Sequence, residues 1–357
     1  MTDPARLRGA LLRWYRKGKR DLPWRRTADP YAVLVSEVML QQTTVATAIP
    51  RWERFLTRFP TVEALAAASE RDVEAEWSGL GYYARARNLV RAAREVVRRG
   101  SFPRSAGELR ALPGVGPYTA AAVASIAFGE EVASIDGNVV RVLSRLLASR
   151  VDPRRGARSP RLVSLASRLV AGGAAGERNQ ALMELGATVC LPHRPACWRC
   201  PVRLACRAAA LGRPESFPAP APRRQPRRLR LACGVARRGG KLVLVPDRIL
   251  VRGHLSLPAV EVAVGADPAA DLAHGWRSLA GRSADGVRRL GSVRHAVLER
   301  RYEVQLFEVS EAPRASRRVA GLRLVDATAL DRVPHGGLLA KALALARGAG
   351  SPRRARG

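Results

Sequence analysis

The sequence predicts a mostly α-helical N-terminal half followed by a smaller α+β half. Three observations predict this division. Apolar residues recur at helical spacing up to about residue 190, a proline- and arginine-rich stretch follows, and beyond it the apolar residues alternate. With 357 residues, of which 47% are hydrophobic, the chain is long enough to bury two separate cores.

The helical pattern is clearest in residues 89–97 and 162–169, where apolar side chains return every three or four positions. Prolines and glycines such as Pro60, Gly81 and Pro103 separate these stretches, as connections between helices do. We therefore expect a helical domain over residues 1–189.

The second half changes its period after residues 207–228, whose interleaved prolines and arginines predict an extended basic linker. Apolar residues then alternate from Leu229, and a turn at residues 238–241 leads into a second strand. A closing helix is predicted near the end of a domain that spans residues 229–346. Residues 347–357 predict a disordered basic tail.

The charge of the chain points to a polyanionic partner. There are 62 Lys and Arg against 30 Asp and Glu, which gives a formal net charge of +32. Such a chain concentrates on polyanions, of which nucleic acid is the leading one, although charge alone establishes only non-specific attraction. No apolar run of a signal peptide or membrane span occurs near the N terminus, so we expect a cytoplasmic protein without a membrane partner.

Four of the five cysteines fall within residues 190–206, namely Cys190, Cys197, Cys200 and Cys206. Thiols this dense suit a soft metal centre, and a reducing cytosol disfavours disulfides. A [4Fe–4S] cluster needs four thiolates and tolerates uneven spacing, whereas structural zinc prefers paired knuckles and could use His193. The spacing favours iron–sulfur and leaves zinc open. Cys233 lies in a strand-like segment and is expected in a core.

Residues 112–120 (LPGVGPYTA) precede an apolar helix predicted over residues 121–128. The alternate glycines, Gly114 and Gly116, let the backbone turn tightly and direct bare N–H groups outward beside a helix N-terminus. Such a turn binds a phosphate without reading the base sequence. The string matches the hairpin of a helix-hairpin-helix DNA-binding element, whereas a lone G-x-G would indicate only a connector.

Two acidic residues stand in unusual strings. Asp136 is the second residue of the string at residues 135–142 (IDGNVVRV) and, taken alone, is expected to cap a helix. Glu37 lies within residues 35–43 (VSEVMLQQT), an apolar helical stretch in which a lone carboxylate is unfavourable unless it is paired or used.

The hairpin, the Asp136 string and the cysteine spacing together resemble the helix-hairpin-helix DNA glycosylase superfamily over residues 5–206. Four strings resemble its adenine DNA glycosylase (MutY) family: residues 22–25 (LPWR), 35–43, 79–89 (GLGYYARARNL) and 179–186 (NQALMELG). Endonuclease III-like members carry a lysine nucleophile where this chain has Tyr118, which cannot form an imine. The resemblance therefore implies a monofunctional glycosylase with a [4Fe–4S] cluster on the cysteine loop.

The resemblance also implies roles for single residues. Glu37 is expected to protonate N7 of adenine, and Asp136 to stabilise an oxocarbenium-like sugar. Tyr118 and Asn138 are expected to position Asp136, the water and the sugar. The other predicted site residues are expected to contact the flipped adenine or the DNA around it: Arg25, Gln41, Gln42, Tyr82, Gly114, Gly116 and Gln180.

For the second half the resemblance implies a Nudix-like domain that recognises 8-oxoguanine opposite the adenine. No Nudix hydrolase box is present in the sequence, so nucleotide hydrolysis is not expected. Residues 294–299 (RHAVLE) stand where the family has an Arg-His-x-Phe-Ser-His string, with Leu298 and Glu299 replacing serine and histidine. Leucine cannot hydrogen-bond the damaged base. We therefore hypothesise that discrimination of 8-oxoguanine from guanine is weakened or is carried by other residues.

The sequence thus predicts a base excision repair glycosylase that acts as a monomer on double-stranded DNA, at adenine mispaired with 8-oxoguanine or guanine. Two alternatives stay open. One is a monofunctional glycosylase for thymine in G·T pairs, although the context of Glu37 favours a purine leaving group. The other is a non-catalytic DNA-binding iron–sulfur protein, against which the presence of Glu37, Asp136 and Tyr118 argues.

Overall fold

The structure is a computed structural model. It describes residues 3–78, 80–220, 226–250, 254–297, 299–312, 319–332 and 336–349. The chain divides into two compact units, one formed by residues 1–76 and 82–222 and the other by residues 77–81 and 223–357. The first unit is helical and the second contains the strands, so the predicted fold classes are confirmed.

The first unit is built from helices joined by short turns. These are α1 (Pro4–Gly18), α2 (Pro30–Leu40), α3 (Val45–Arg58), α4 (Val62–Ala67), α5 (Glu70–Glu76), α6 (Ala84–Arg99), α7 (Ala106–Leu109), α8 (Pro117–Phe128), α9 (Gly137–Leu147), α10 (Pro160–Val170), α11 (Ala175–Thr188) and α12 (Arg207–Ala210). The helix predicted from residue 121 begins earlier, at Pro117, because proline suits the first helical position, where its missing N–H needs no partner. Among the described helices, none combines the length and the apolar content that crossing a bilayer requires.

Helix α2 is buried on all its faces from Tyr31 to Met39. Asp29 caps its start, and the carboxylate accepts hydrogen bonds from the backbone N–H groups of Tyr31 and Ala32 at 3.2 and 3.0 Å. A helix without a solvated face should be apolar all round, and α2 largely is. Glu37 is the charged exception in the middle of this buried helix.

A second packing centre of the first unit joins α1, α9, α10 and α11. Leu11, Leu143, Leu162 and Leu182 belong to one buried apolar cluster, and the loop that follows α11 packs against it through three of its cysteines. The cysteine loop is therefore part of the core of this unit rather than an appendage to it.

In the part of the second unit that the structure describes, strands form two sheets and two α-helices accompany them. The strands are β1 (Arg227–Val235), β2 (Arg237–Arg238), β3 (Lys241–Pro246), β4 (Leu255–Ser256), β5 (Ala259–Val262), β6 (Ala284–Val297), β7 (Arg300–Glu311) and β8 (Arg323–Val325), with helices α13 (Pro268–Ala280) and α14 (Gly337–Ala349). One sheet has the order β5-β1-β7-β6, in which β1 and β7 are parallel. In the other sheet, β3 pairs with β2, β4 and β8.

The strands that the sequence predicted in the second half are confirmed. The predicted turn joins β2 to β3, with Arg238 opposite Lys241, and Cys233 of β1 is buried in the core as expected. The core also takes alternate residues of β7 and the buried face of α14, including Val304 and Leu339.

Two segments differ from their predicted description. Residues 207–220 were predicted to begin an extended linker, but they contain α12 and a 3₁₀ turn at Pro214–Ser216. Phe217 then buries its side chain, and its carbonyl accepts a hydrogen bond from Arg145 Nε at 3.1 Å. Apolar burial thus holds this segment on the helical unit. Helix α14 extends to Ala349, into the predicted tail, and residues 350–357 lie outside the described residues.

Candidate active site and cysteine loop

Side chains from several elements of the first unit meet around a cavity of about 210 Å³. The elements are α2, the start of α8, the start of α9, the middle of α11 and the 3₁₀ turn Pro23–Arg25. Of the residues predicted from the sequence, the cavity is lined by Glu37, Tyr118, Asp136, Asn138, Arg25 and Gln180. The fold therefore brings together the two predicted carboxylates, which are about a hundred residues apart in the chain.

Glu37 is only 6% exposed, and burial raises the pKa of its carboxyl group to about 7. A hydrogen-bonding interaction with Tyr118 and the charge of Arg25 act in the opposite direction, while the charge of Asp136 adds to the rise in this pKa. Among the described residues, Oε2 of Glu37 is buried and has no hydrogen-bond partner. A carboxyl group in this state is poised to give up a proton near neutral pH.

Asp136 is the N-cap of α9, as the sequence alone suggested. Oδ1 accepts a hydrogen bond from the backbone N–H of Val139 at 2.7 Å, and Oδ2 accepts one from Nδ2 of Asn138 at 3.0 Å. Both oxygens thus accept hydrogen bonds at the N-terminal end of a helix, where the helix dipole is positive.

Tyr118 stands in the first turn of α8, where burial raises the pKa of its phenol well above the usual value. Its hydroxyl lies 3.7 Å from Sδ of Met183 and also interacts with Glu37. The residue is therefore a neutral phenol that interacts with Glu37 and is influenced by the charge of Asp136.

Glu184 lines the same cavity and was not singled out from the sequence. Burial disfavours its charge, but hydrogen bonds from Arg20 and Arg25 outweigh this effect and hold the pKa of Glu184 at about 2. The nitrogen–oxygen distances are 2.8 Å to Arg20 Nη2 and 2.7 Å to Arg25 Nη2. Arg25 is therefore paired, and its guanidinium also lies 5.4 Å from the ring centre of Tyr15.

Gln180 lines the cavity one helical turn before Glu184. Its Oε1 accepts a hydrogen bond from the hydroxyl of Tyr15 at 2.8 Å, which fixes the orientation of the amide. The amide nitrogen is then the group of Gln180 that remains as a donor.

The other predicted site residues lie on loops outside the lining of the cavity. Gln41 ends α2 and donates from Nε2 to Oγ1 of Thr119 at 3.2 Å, whereas Gln42 is exposed. Tyr82 is 40% exposed in the turn before α6. Gly79, the first residue of the string at residues 79–89 that contains Tyr82, lies outside the described residues.

The hairpin before α8 has the tight geometry that its glycines predict. Gly114 has a φ of 75°, and a Cβ there would lie 2.5 Å from Cβ of Asn88, so no other residue fits without displacement. Gly116 has an ordinary φ of −83° and serves as the side-chain-free N-cap of α8. The hairpin thus leaves the first N–H groups of α8 without a side-chain cap.

A buried arginine of α9, Arg145, makes several of the contacts that hold the cysteine loop. Arg145 donates to Sγ of Cys190 at 3.3 Å and to the carbonyls of Leu191 and Pro192 at 2.6 and 2.9 Å. Its own carbonyl lies 3.4 Å from Sγ of Cys206. The loop therefore wraps around the side chain and backbone of Arg145.

The four loop cysteines are free thiols that influence one another. Burial, followed by the charges of Cys190, Cys206 and Cys197, raises the pKa of the Cys200 thiol to about 12. Within the described ranges, no three His, Cys, Asp or Glu side chains converge tightly enough for a single ion. His193 is 91% exposed, and its Nδ1 lies 3.5 Å from Glu215.

A chain of hydrogen bonds connects the cavity to the cysteine loop. Asn138, which donates to Asp136, accepts through Oδ1 a bond of 2.8 Å from Nη2 of Arg141. Arg141 in turn donates to the carbonyls of Gly186 and Cys190, both at 2.8 Å. Asn138 is thus held in place by Arg141, which is itself bonded to the cysteine loop.

In the second unit, a basic cavity of about 590 Å³ lies beside the β6–β7 hairpin. Its positive side chains are Arg228, Arg230, Arg294, Arg301 and Lys341, and His295 also lines it. Burial, and then the charge of Lys341, lowers the pKa of His295. Residues 294–297 end β6, and Leu298 of the predicted recognition string lies outside the described residues.

A smaller cavity of the second unit, about 90 Å³, is lined mainly by apolar residues that include Leu231 and Leu257. Asp247 lines it too, but its Oδ1 already accepts hydrogen bonds of 2.8 Å from the N–H groups of Ile249 and Leu250. The predicted site residues all lie elsewhere.

Comparison with known proteins agrees with this geometry. Residues 35–166 match the family described as HhH-GPD superfamily base excision DNA repair protein. The human adenine DNA glycosylase is 52% identical over 58% of this chain and 40% of its own length, and the mouse protein is 42% identical over 73% and 61%. The structure of a thermostable thymine-DNA glycosylase superposes with a TM-score of 0.54 and 30% identity, over 58% of this chain and 97% of its own.

The chain spans less than two thirds of the length of the human and mouse relatives. It nevertheless covers nearly all of the thymine-DNA glycosylase fold, and the mouse match covers more of the chain than the helical unit contains. The chain therefore belongs to the HhH-GPD superfamily of base excision DNA repair proteins, within which it is similar to the adenine DNA glycosylases.

Proposed function

We propose that the protein is a monofunctional DNA glycosylase of base excision repair that removes adenine mispaired with 8-oxoguanine or guanine. One observation carries the proposal: the cavity holds a buried carboxyl group with a pKa of about 7 beside a second carboxylate held by hydrogen-bond donors. The raised pKa assigns Glu37 as the general acid, and the hydrogen bonds to both oxygens of Asp136 assign it as the positioned second carboxylate.

The adenine must leave the duplex before it can reach this cavity. Flipping breaks stacking and pairing at about a few kcal/mol, and a mispaired base loses less, which favours mispairs as substrates. Gln41, Gln42 and Tyr82 lie on loops outside the cavity, and we assign them to the vacated position in the stack.

Glu37 supplies the proton that makes adenine a neutral leaving group. Its carboxyl group is about half protonated at pH 7 and largely protonated below that pH. As the C1′–N9 bond breaks, the bonding electrons leave with the base, and N7 takes the proton from Glu37. The buried, unpartnered Oε2 is the oxygen that has no competing partner among the described residues.

Asp136 stabilises the sugar cation that remains. The departing base leaves an oxocarbenium-like C1′, and a preorganised negative charge lowers the energy of this species without reorganising solvent. Water then adds to C1′, and its proton passes to the Glu37 carboxylate, which restores the acid. Asn138 keeps Asp136 in place because it is itself held by Arg141.

Tyr118 limits the reaction to base removal. A phenol cannot form the imine through which a lysine at this position would cleave the strand. The product is therefore an intact strand with an abasic site, which breaks only on treatment with alkali.

We propose that Cys190, Cys197, Cys200 and Cys206 hold a [4Fe–4S] cluster, which proteins of this family typically carry. Four mutually interacting thiols fit its ligand set, and each thiolate binds a different iron, so they need not converge on one point. The exposed His193, which faces Glu215, gives no support to a zinc site. When bound, the cluster cross-links the loop that packs on α9 and α11, and no step above passes through it.

We further propose that the second unit is the Nudix-like domain that contacts the base opposite the adenine. Its basic cavity beside the β6–β7 hairpin suits a phosphate backbone, and Arg294 and His295 lie at the predicted recognition string. Glu299, which follows β6, places a negative charge where the family has a histidine. We expect this substitution to weaken the preference for 8-oxoguanine over guanine.

The deciding experiment is single-turnover excision on duplexes with adenine opposite 8-oxoguanine, guanine or thymine, scored with and without alkali. We expect release from the first two duplexes, with strand breaks only after alkali. Rates for the first two that differ by orders of magnitude would contradict a weakened discrimination. Release from none of them, together with thymine release from a G·T duplex, would replace this proposal with the thymine alternative.

A further inference from the structure

Arg85 joins the two loops that carry Gln41, Gln42 and Tyr82. It lies in the first turn of α6, and its Nη1 donates hydrogen bonds to the carbonyls of Val38 at 2.7 Å and Met39 at 3.4 Å. The same nitrogen donates to the carbonyl of Gln41. These carbonyls belong to the last turn and C-cap of α2, where a helix leaves carbonyl groups without intrahelical partners.

The guanidinium of Arg85 also contacts the aromatic ring of Tyr82. Its central carbon lies 5.4 Å from the ring centre, within the range of a cation–π interaction. The backbone N–H of Arg85 donates to the carbonyl of Tyr82 at 2.8 Å, so the turn is fixed to α6 through backbone and side chain alike.

Both loops hold a residue in a backbone conformation that it would rarely adopt alone. Gln42 has a φ of 59° and Tyr82 a φ of 51°, in the left-handed region that non-glycine residues seldom occupy. Such conformations persist only when surrounding contacts determine them, and they gather at functional sites. Arg85 contacts both segments through its side chain.

We propose that Arg85 is a positioning residue for base extrusion: it presets the Gln41–Gln42 loop and the Tyr82 ring as a single wedge, and it fixes the end of the helix that carries Glu37. This inference rests on the proposed function, because it assigns a purpose to loops that would enter the base stack. A preset wedge loses little conformational entropy on binding, so more binding energy remains for unstacking the base.

The arrangement depends on the chemistry of arginine. A planar guanidinium can satisfy several carbonyls in one plane while its face lies against an aromatic ring, whereas the ammonium of lysine is a strongly hydrated point charge without that plane. Burial lowers the pKa of Arg85 from its high ordinary value. Arg85→Lys thus keeps a basic side chain but removes the planar guanidinium.

The test compares Arg85→Lys with Arg91→Lys, a matched control on the same helix. Arg91 has a side chain 57% exposed and only a long ion pair, 3.7 Å, with Glu70. The duplex carries 2-aminopurine in place of the target adenine, opposite guanine, so that extrusion appears as a rise in fluorescence whether or not excision follows. We expect the rise with the wild type and Arg91→Lys, and a rate lower by about tenfold or more with Arg85→Lys.

A second measurement separates positioning from general damage. Excision of adenine is compared on a duplex with guanine opposite and on one with an abasic analogue opposite, where no pair has to be broken. We expect Arg85→Lys to lose far more on the first duplex than on the second. An equal loss on both, or unchanged extrusion of 2-aminopurine, would overturn the inference, as would a wild type that extrudes nothing. A wild type that extrudes the base but releases no adenine would contradict the proposed function alone.

Discussion

Glu37 and Asp136 line one cavity, yet one carboxyl group is buried with an unpartnered oxygen while the other accepts a hydrogen bond on each oxygen. The difference originates in the helices that carry them. Glu37 projects from the middle of a helix buried on every face, whereas Asp136 caps the start of a helix, where N–H groups point at it. The charge of Asp136 also raises the pKa of Glu37, so the charged state of one residue helps to keep the proton on the other.

Glu37→Gln should abolish excision and stabilise the protein at high pH. The pKa of Glu37 rises from 4.5 to about 7 on folding, so the stability gained from this group is complete below pH 4.5 and is lost as pH rises through 7. By pH 9 the wild type has lost on the order of 3 kcal/mol that the glutamine variant retains.

Urea denaturation of both proteins at pH 5, 7 and 9 measures this effect. The advantage of Glu37→Gln should grow with pH, and wild-type excision should decline above about pH 7 as the acid loses its proton. A difference in unfolding free energy that stays constant across the three pH values would show that Glu37 does not titrate in this range.

Glu184→Gln should move the pH profile of excision to lower pH. Arg25 lowers the pKa of Glu37, and Glu184 at present neutralises Arg25. Without that carboxylate the positive charge acts on Glu37 more strongly, so the acid loses its proton at a lower pH. Removing one partner of a buried pair should also cost about 3–5 kcal/mol of stability.

The control for this variant is Glu177→Gln on the same helix. Glu177 pairs with Arg16 at the surface, where the two side chains are 32% and 57% exposed, so its loss should change stability by about 1 kcal/mol at most. The two variants are compared by excision rate between pH 5 and 9 and by chemical denaturation. A pH profile of Glu184→Gln that coincides with the wild type would refute the proposed influence on Glu37.

The elements of the site that the sequence predicted are those with a local cause. Gly114 is required by its positive φ of 75°, and the alternate glycines of the hairpin string indicate such a tight turn. Glu37 interrupts an apolar helix, and the four cysteines stand close together in the chain. Each of these signals lies within a few residues, where pattern and chemistry can be read together.

The sequence did not indicate Glu184 as a site residue because its ion pairs are with residues far away in the chain. Arg20 and Arg25 lie about 160 residues earlier in the chain, and only the fold brings them within hydrogen-bond distance. The signal in the sequence is an acidic residue within the string at residues 179–186, just as Glu37 lies within the string at residues 35–43. The burial of Phe217 was not predictable either, because a single aromatic residue among prolines does not indicate a packing site.

Strand β6 was missed for a different reason. Its exposure does not alternate regularly, and its pairing with β7 shifts register near Gly286 and near Gly291. Each extra residue in a bulge moves the following side chains to the other face, so a period of two is lost along the strand. Helix α13, rich in alanine and with few buried residues, gave a similarly weak signal.

The purified protein should contain iron and sulfide rather than zinc. The expected content is about four irons per chain, with the broad visible absorption of an iron–sulfur cluster. Arg145→Lys should make the iron easier to remove with a chelator, because lysine cannot hold Cys190 and the carbonyls of Leu191 and Pro192 together. Zinc at one equivalent per chain after anaerobic purification would contradict the cluster.

Asp136→Asn and Asp136→Ala together separate capping from chemistry. Asparagine is as good an N-cap as aspartate, although it cannot also accept the bond from Asn138. The first variant should therefore keep most of its stability while its excision rate falls by about 10³-fold or more, because the negative charge is lost. Alanine removes the cap as well and should destabilise the protein by about a further 1 kcal/mol. Single-turnover excision and thermal denaturation are measured on both. If Asp136→Asn excised adenine at the wild-type rate, Asp136 would serve only as the cap of α9, and the sugar cation would need another source of stabilisation.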